Sequence, residues 1–156
     1  MPLKNEPAHP DMSTLVAEIV ATQQRAHRFE RVLSSLPEFA LASRQEDPLP
    51  FLHDLLAELL SCDCVNVHVP APFAGIATPK DTLQAPIVIG RRRVGVIEAT
   101  RNRPFDVDDH AIAEALGMIV GVVLEQTTLQ SQFDQYRSQA QAAADTLDQL
   151  LGFARW

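Results

Sequence analysis

From Asp11 onward, Leu15, Ile19, Thr22, Ala26, Phe29, Leu33 and Leu36 recur at alternating spacings of four and three, with Gln, Arg and Glu between them. That spacing predicts a helix over residues 12–36 whose seam faces another helix. Ser35, with Pro37 and Glu38 after it, predicts a capping box and a short second helix through Ser43. Residues 44–50 read as a linker. Asp47 and Pro48 then form an N-cap pair, and Phe51, Leu52, Leu55, Leu56, Leu59 and Leu60 give a third helix one wide apolar face that ends near Ser61.

At Cys64 the period changes to two. Val65, Val67 and Val69 point one way and Cys64, Asn66 and His68 the other, which predicts a strand. Residues 70–81 contain Pro70, Pro72, Pro79 and Gly75 and read as loop, with room for at most a short edge strand over 73–77. Residues 82–89 and 92–100 are β-branched runs on either side of Gly90 and Arg91, the signature of a hairpin. Asp106 is placed to cap a further helix, with Asp108 and Asp109 in the first turn, where the helix dipole favours negative charge.

That last helix has no stop signal. Ile112, Ile119, Gln126, Phe133, Ala140, Leu147 and Ala154 form one column at heptad spacing, and Ala115, Val122, Leu129, Tyr136, Ala143 and Leu150 the other. A repeat of 3.5 residues kept over about six heptads predicts a left-handed supercoil. About 45 residues reach on the order of 70 Å, so the second half must project from the domain or pack on a partner. Gln126 is the one long polar residue in the two columns and is expected to set the pairing register. The chain thus divides into a disordered leader (1–11), an N-terminal helical segment (12–44), a domain (48–130) and a helical extension (131–156) continuous with the last domain helix. The fold class is α+β, with a small antiparallel sheet of three or four strands packed on helices.

Composition narrows the function. The 156 residues include 13 Lys plus Arg against 20 Asp plus Glu, a net charge of -7, which lacks the basic excess that nucleic-acid binding requires. Hydrophobic residues at 46% and charged residues at 21% fit an ordinary folded chain. The cysteines, Cys62 and Cys64, are too close in sequence for an ordinary structural disulfide, which points to a reducing, cytoplasmic setting. The first twelve residues lack the apolar stretch of a signal peptide, and the longest apolar run, 115–124, is about half of what spans a bilayer, so neither export nor a membrane partner is expected.

Ala85-Pro86-Ile87 before the hairpin, Val94-Gly95-Val96-Ile97 on the adjacent strand, then Phe105 and an acidic helix start, make a succession that resembles the C-terminal half of a GAF domain. The upstream helix and strand over 48–69 are similar to that family in order, and the long helices on both sides resemble its dimerising helices. The resemblance implies a GAF-like fold, a role in bacterial-type signalling or regulation, and homodimerisation. Cyclic-nucleotide-binding members carry an N-K … F-x-x-x-D-E signature. Asn102, Arg103, Phe105 and Asp109 match it approximately, and His110 stands in place of the final Glu. The family's pocket is walled by the segment that corresponds to 70–81, which is short here, so no enclosed cavity for a cyclic nucleotide is expected.

Cys62, Cys64 and His68 invite zinc, but Cys64 and His68 would sit roughly 13 Å apart on a strand, and no second cluster completes four ligands. Free methionine sulfoxide reductases and bilin-binding members of the family place their cysteines in the pocket segments, where neither cysteine of this chain falls. Arg91, Arg92, Arg93, Arg101 and Arg103 form the only basic cluster and read as a solvated hairpin tip with strand-end pairs to Asp106, Asp108 and Asp109. Ala113, Gly117 and Gly121 make a bare ridge suited to tight packing of the helix on its sheet.

The leading expectation is a non-enzymatic, dimeric GAF-like scaffold or interaction module, with no catalytic residue, metal or cofactor. Its partners are a second copy and another signalling protein. The expected dimer contact comprises Leu15, Ile19, Phe29, Leu33, Ile119, Val122, Gln126, Leu129, Phe133, Tyr136, Leu147 and Leu150, with the two long helices in a parallel four-helix bundle. The alternative is a ligand-sensing module that takes a metabolite or anion against Asn66, His68 and Arg92 in an abbreviated pocket.

Overall fold

A computed structural model describes residues 11–70 and 81–153; residues 1–10 of the expected leader, 71–80 of the proline-rich loop with its possible edge strand, and Ala154 fall outside this range. Its elements are α1 (Met12–Ser34), α2 (Leu36–Ala42), α3 (Leu49–Leu60), β1 (Cys64–His68), β2 (Thr82–Ile89), β3 (Arg92–Thr100) and α4 (Val107–Phe153). The fold is α+β with one antiparallel sheet of three strands in the order β1-β3-β2. The hairpin turns where the sequence places it, with Gly90 at φ +62, a left-handed conformation that glycine adopts without penalty.

Alternation along the strands sends one face of the sheet inward. Val65 and Val67 of β1 and Leu83, Ala85 and Ile87 of β2 flank Ile97 and Ala99 of β3, and Leu52, Leu56 and Leu60 of α3 complete that core with Ile112, Ala113, Leu116, Val120 and Val123 of α4. β1 ends at His68, leaving Val69 exposed. Phe51 lies at the rim of the α3 face and is exposed too. The Ala113-Gly117-Gly121 ridge lies against β2: a Cβ on Gly117 would collide with the Pro86 carbonyl, and one on Gly121 with that of Val88. Among the described residues β1 is an edge strand, and the His53 side chain of α3 accepts the Val67 N–H at 3.2 Å, partnering a backbone donor on the side away from β3.

Two cap expectations come out differently. The Ser35 hydroxyl donates to the Val32 carbonyl at 2.8 Å instead of capping α2, because α1 and α2 are nearly continuous and the preceding turn offers an acceptor. Asp47 acts from outside α3, its carboxylate accepting the Leu49 N–H at 3.2 Å, while Pro48 holds the N-cap position. Asp106 and Asp109 form a reciprocal box at the start of α4: Asp109 N–H donates to Asp106 at 2.7 Å, and Asp106 N–H to Asp109 at 2.8 Å.

Cross-links fix how the long helices run. Arg25 pairs with Asp108, and Arg28 with Asp106 and Asp109, at the start of α4. Farther along, the Thr127 hydroxyl donates to the Ser43 carbonyl just past α2, at 3.3 Å. About 17 residues separate the first and last links on one side and about 19 on the other, roughly 26 and 29 Å of helix. The second half of α1 and all of α2 therefore lie parallel to the first half of α4. The first turns of α1 project past the start of α4, and about 26 residues of α4, roughly 39 Å, project past α2 at the opposite end. Within one protomer the two projections leave opposite ends of the domain and do not pack on each other.

Candidate functional site

α4 has two faces. Ile112, Leu116, Val120 and Val123 point into the core, while Met118 (57% exposed) and Val122 (53%) sit on the opposite side of the same turns. At about 100° per residue the outer face continues through Leu129, Phe133, Tyr136, Ala140, Ala143, Leu147, Leu150 and Leu151, all exposed. Phe133 is 63% and Tyr136 70% exposed. Ile112, placed by heptad spacing in the same column, is buried in the core, and Ile119 packs partly against it. The reason is the mismatch between 3.5 and 3.6: a straight helix turns each heptad column by about 20° per repeat, so a column that starts in the core emerges from it two heptads later. On α1, Leu15, Ile19 and Leu33 are exposed, whereas Phe29 packs against the domain.

Where α1 meets the domain, Asp109 is 1% exposed and its carboxylate accepts from three donors: the Asp106 amide, the Arg101 guanidinium and the Arg28 guanidinium. Burial pushes the Asp109 carboxyl up, but the Asp106 amide and the two guanidiniums outweigh it and hold the group below its ordinary value. Arg101 is buried as well. It donates to the carbonyls of Arg103 (3.2 Å), Leu60 (3.4 Å) and Pro104 (2.9 Å), and its guanidinium lies 4.1 Å from the centre of the Phe105 ring. One carboxylate thus ties α1, the end of α3, the exit of β3 and the start of α4.

This tie borders an open cleft of about 410 Å³ whose lining includes His27, Arg28, Arg31, Arg101 and Arg103. The basic cluster read from the sequence is therefore two groups. Arg92 and Arg93 sit at the hairpin end of β3 and Arg101 just past its other end, roughly 25–30 Å away along the strand. The strand-end pair to Asp109 forms as expected, while Asp106 and Asp108 pair with α1 instead.

The expected ligand contacts do not converge. Asn66 lies opposite Glu98 and His68 opposite Val96 on the outer face, whereas Arg92 lies opposite Ile89 near the hairpin turn, about four residues or 13 Å along β3 from Val96. All three side chains are exposed. Burial pushes the Cys62 thiol up to about 11 against the opposing charge of Arg101, so it is a poor thiolate at neutral pH. Cys64 is exposed beside Asn66, with 3.9 Å between sulfur and amide. Among the described residues, no three His, Cys, Asp or Glu side chains gather as a metal set, and no helix is long and apolar enough to cross a membrane.

Sequence reasoning missed Arg28 and His53, because each acts on a residue far along the chain. Compared with known proteins, the chain matches no protein-family model and no curated protein.

Proposed function

We propose that this chain is a non-enzymatic, GAF-like homodimeric module that serves signalling or regulation as a scaffold. The observation that carries the reading is the apolar stripe on the outer face of α4, Met118 and Val122 and then Leu129 to Leu151, interrupted at Glu125 and Gln126. A stripe of that length is costly in water, and burying a large apolar side chain contributes about 1.5–3 kcal/mol, enough over several residues to offset the entropy of association. The GAF-like identity rests on the order of helix, strand, hairpin and acidic-capped helix, together with the residues that carry the resemblance. Another signalling protein is the proposed second partner, and the exposed stripe of α1 is the second apolar helix face the scaffold presents.

Sedimentation of the full chain and of a chain lacking residues 131–156 tests this. The full chain is expected as a dimer at tens of micromolar and the truncated one as predominantly monomer; a monomeric full chain overturns the reading. The arginine-lined cleft favours a second reading, in which a small anion is sensed between α1 and the domain instead of at Asn66, His68 and Arg92. A metabolite at 100 times its dissociation constant would then stabilise the protein by about 2.7 kcal/mol, visible as a thermal shift that Arg103→Gln abolishes.

A further inference from the structure

We infer that the α4 projections of two copies pair antiparallel, about a two-fold axis that crosses the helix near residue 138. The inference rests on the homodimer reading and goes beyond it by assigning direction and register.

Side-chain size along the stripe decides between the two directions. From the domain outward it presents Leu129, an aromatic layer at Phe133 and Tyr136, an alanine layer at Ala140 and Ala143, and a leucine layer at Leu147 and Leu150. In a parallel, in-register pair each layer meets its own copy. The two axes would then have to stand apart at the aromatics, close at the alanines and part again at the leucines, all within about 25 Å. Helix pairs keep a separation between about 8 and 10 Å set by the side chains in contact, so such a seam leaves voids beside the alanines or strain at the aromatics.

Reversing one helix removes the conflict. With the axis at residue 138, Phe133 faces the partner's Ala143 and Tyr136 faces the partner's Ala140, so each large ring meets a methyl group. Leu129 then faces the partner's Leu147, and Gln126 the partner's Leu150. Reversal also exchanges the two heptad columns, so every layer must join a member of one column to a member of the other. All four pairings do so, and among the registers that satisfy this condition this one sets both aromatic rings opposite alanines. Large opposite small and medium opposite medium keeps the separation nearly constant, as interdigitated cores require.

The surroundings accept this register. Gln126 stands at the end of the paired stretch, where its amide borders a groove shared with Ser43 and Arg44 of its own chain, so a facing leucine does not strand it. Leu129, Phe133, Tyr136, Leu147 and Leu150 are 58–70% exposed in the single chain. At roughly 100 Å² each, with the flanking Gln, Ser and Ala side chains added, they approach the about 800 Å² per partner of a stable interface. Arg137 comes near its own copy at the axis, but at an exposed rim, where repulsion is screened by salt. The two domains then lie at opposite ends of the paired helices, and each α1 projection points away from the dimer centre.

Disulfide trapping in a Cys62→Ser/Cys64→Ser background tests the pairing, with sedimentation run on every sample. Oxidation of a mixture of Leu129→Cys and Leu147→Cys chains should give a cross-linked dimer, and neither variant alone should. Efficient cross-linking of each variant with itself would establish parallel pairing and overturn the inference. A dimer that cross-links in no combination would overturn this register. A monomer by sedimentation would overturn the dimer reading itself, a result distinct from either. Nitroxide labels on Asp148→Cys give a readout independent of sulfur geometry: the antiparallel arrangement separates the two sites by about 30 Å along the axis, whereas parallel pairing holds them side by side.

Discussion

Asp109→Asn is the sharpest probe of the tie at the base of α1. The substitution keeps the side chain's shape and its acceptor for the Asp106 amide, but it removes the charge that faces Arg28 and the buried Arg101. Arg101 would keep its carbonyl partners and the Phe105 ring, yet remain a cation without a counterion at a buried site. Breaking a buried pair from one side costs about 3–5 kcal/mol. At about 2–4 °C per kcal/mol for a chain of this size, the melting temperature should fall by roughly 10 °C. Urea unfolding followed by circular dichroism should show a lower midpoint with an unchanged slope.

The same group sets an acid limb. The folded carboxyl titrates below its ordinary value, so its contribution is complete above about pH 4 and is lost as pH falls through the folded value. The native chain should therefore lose stability on acidification below about pH 4, and Asp109→Asn should lose less over that range. Adding Arg101→Met should recover part of the loss, with a coupling of about 0.5–3 kcal/mol. A loss under about 1 kcal/mol, or strict additivity, would show that solvent already screens the pair and would refute the argument.

Two other predictions follow from packing and burial. Gly117→Ala and Gly121→Ala each drive a methyl group into a β2 carbonyl and should destabilise by about 1–3 kcal/mol in thermal unfolding, while Gly152→Ala, with open space around it, should not. Alkylation with iodoacetamide at pH 7.5, mapped by mass spectrometry, should modify exposed Cys64 well before Cys62, whose thiol is raised to about 11; equal rates would contradict the burial assigned to Cys62.

The hairpin was legible because two β-branched runs meet at a glycine that the turn requires, and α4 because Asp106 opens it and no breaker follows. Both are local signals. The tie at Asp109 joins residues 8 and 81 positions apart, and nothing within a short window marks Arg28 as its partner. Grouping Arg91–Arg93 with Arg101 failed for a related reason, since neighbours in sequence lie at opposite ends of an extended strand. The apolar spacing along α4 marks a long helix, but it does not mark where the domain ends and the exposed stripe begins. That boundary depends on which turns the sheet covers.

The bare ridge at Gly117 and Gly121 makes α4 a stiff lever. At these two glycines helix backbone meets strand backbone with no side chain between to change rotamer, and the close-packed Leu116 and Val120 on the same turns hold the rest of the contact, so α4 and β2 move as one piece. The arm beyond Thr127 is roughly 39 Å long, and a tilt of about 5° at the sheet carries its tip through about 3 Å, the scale on which a packed layer shifts against its neighbour.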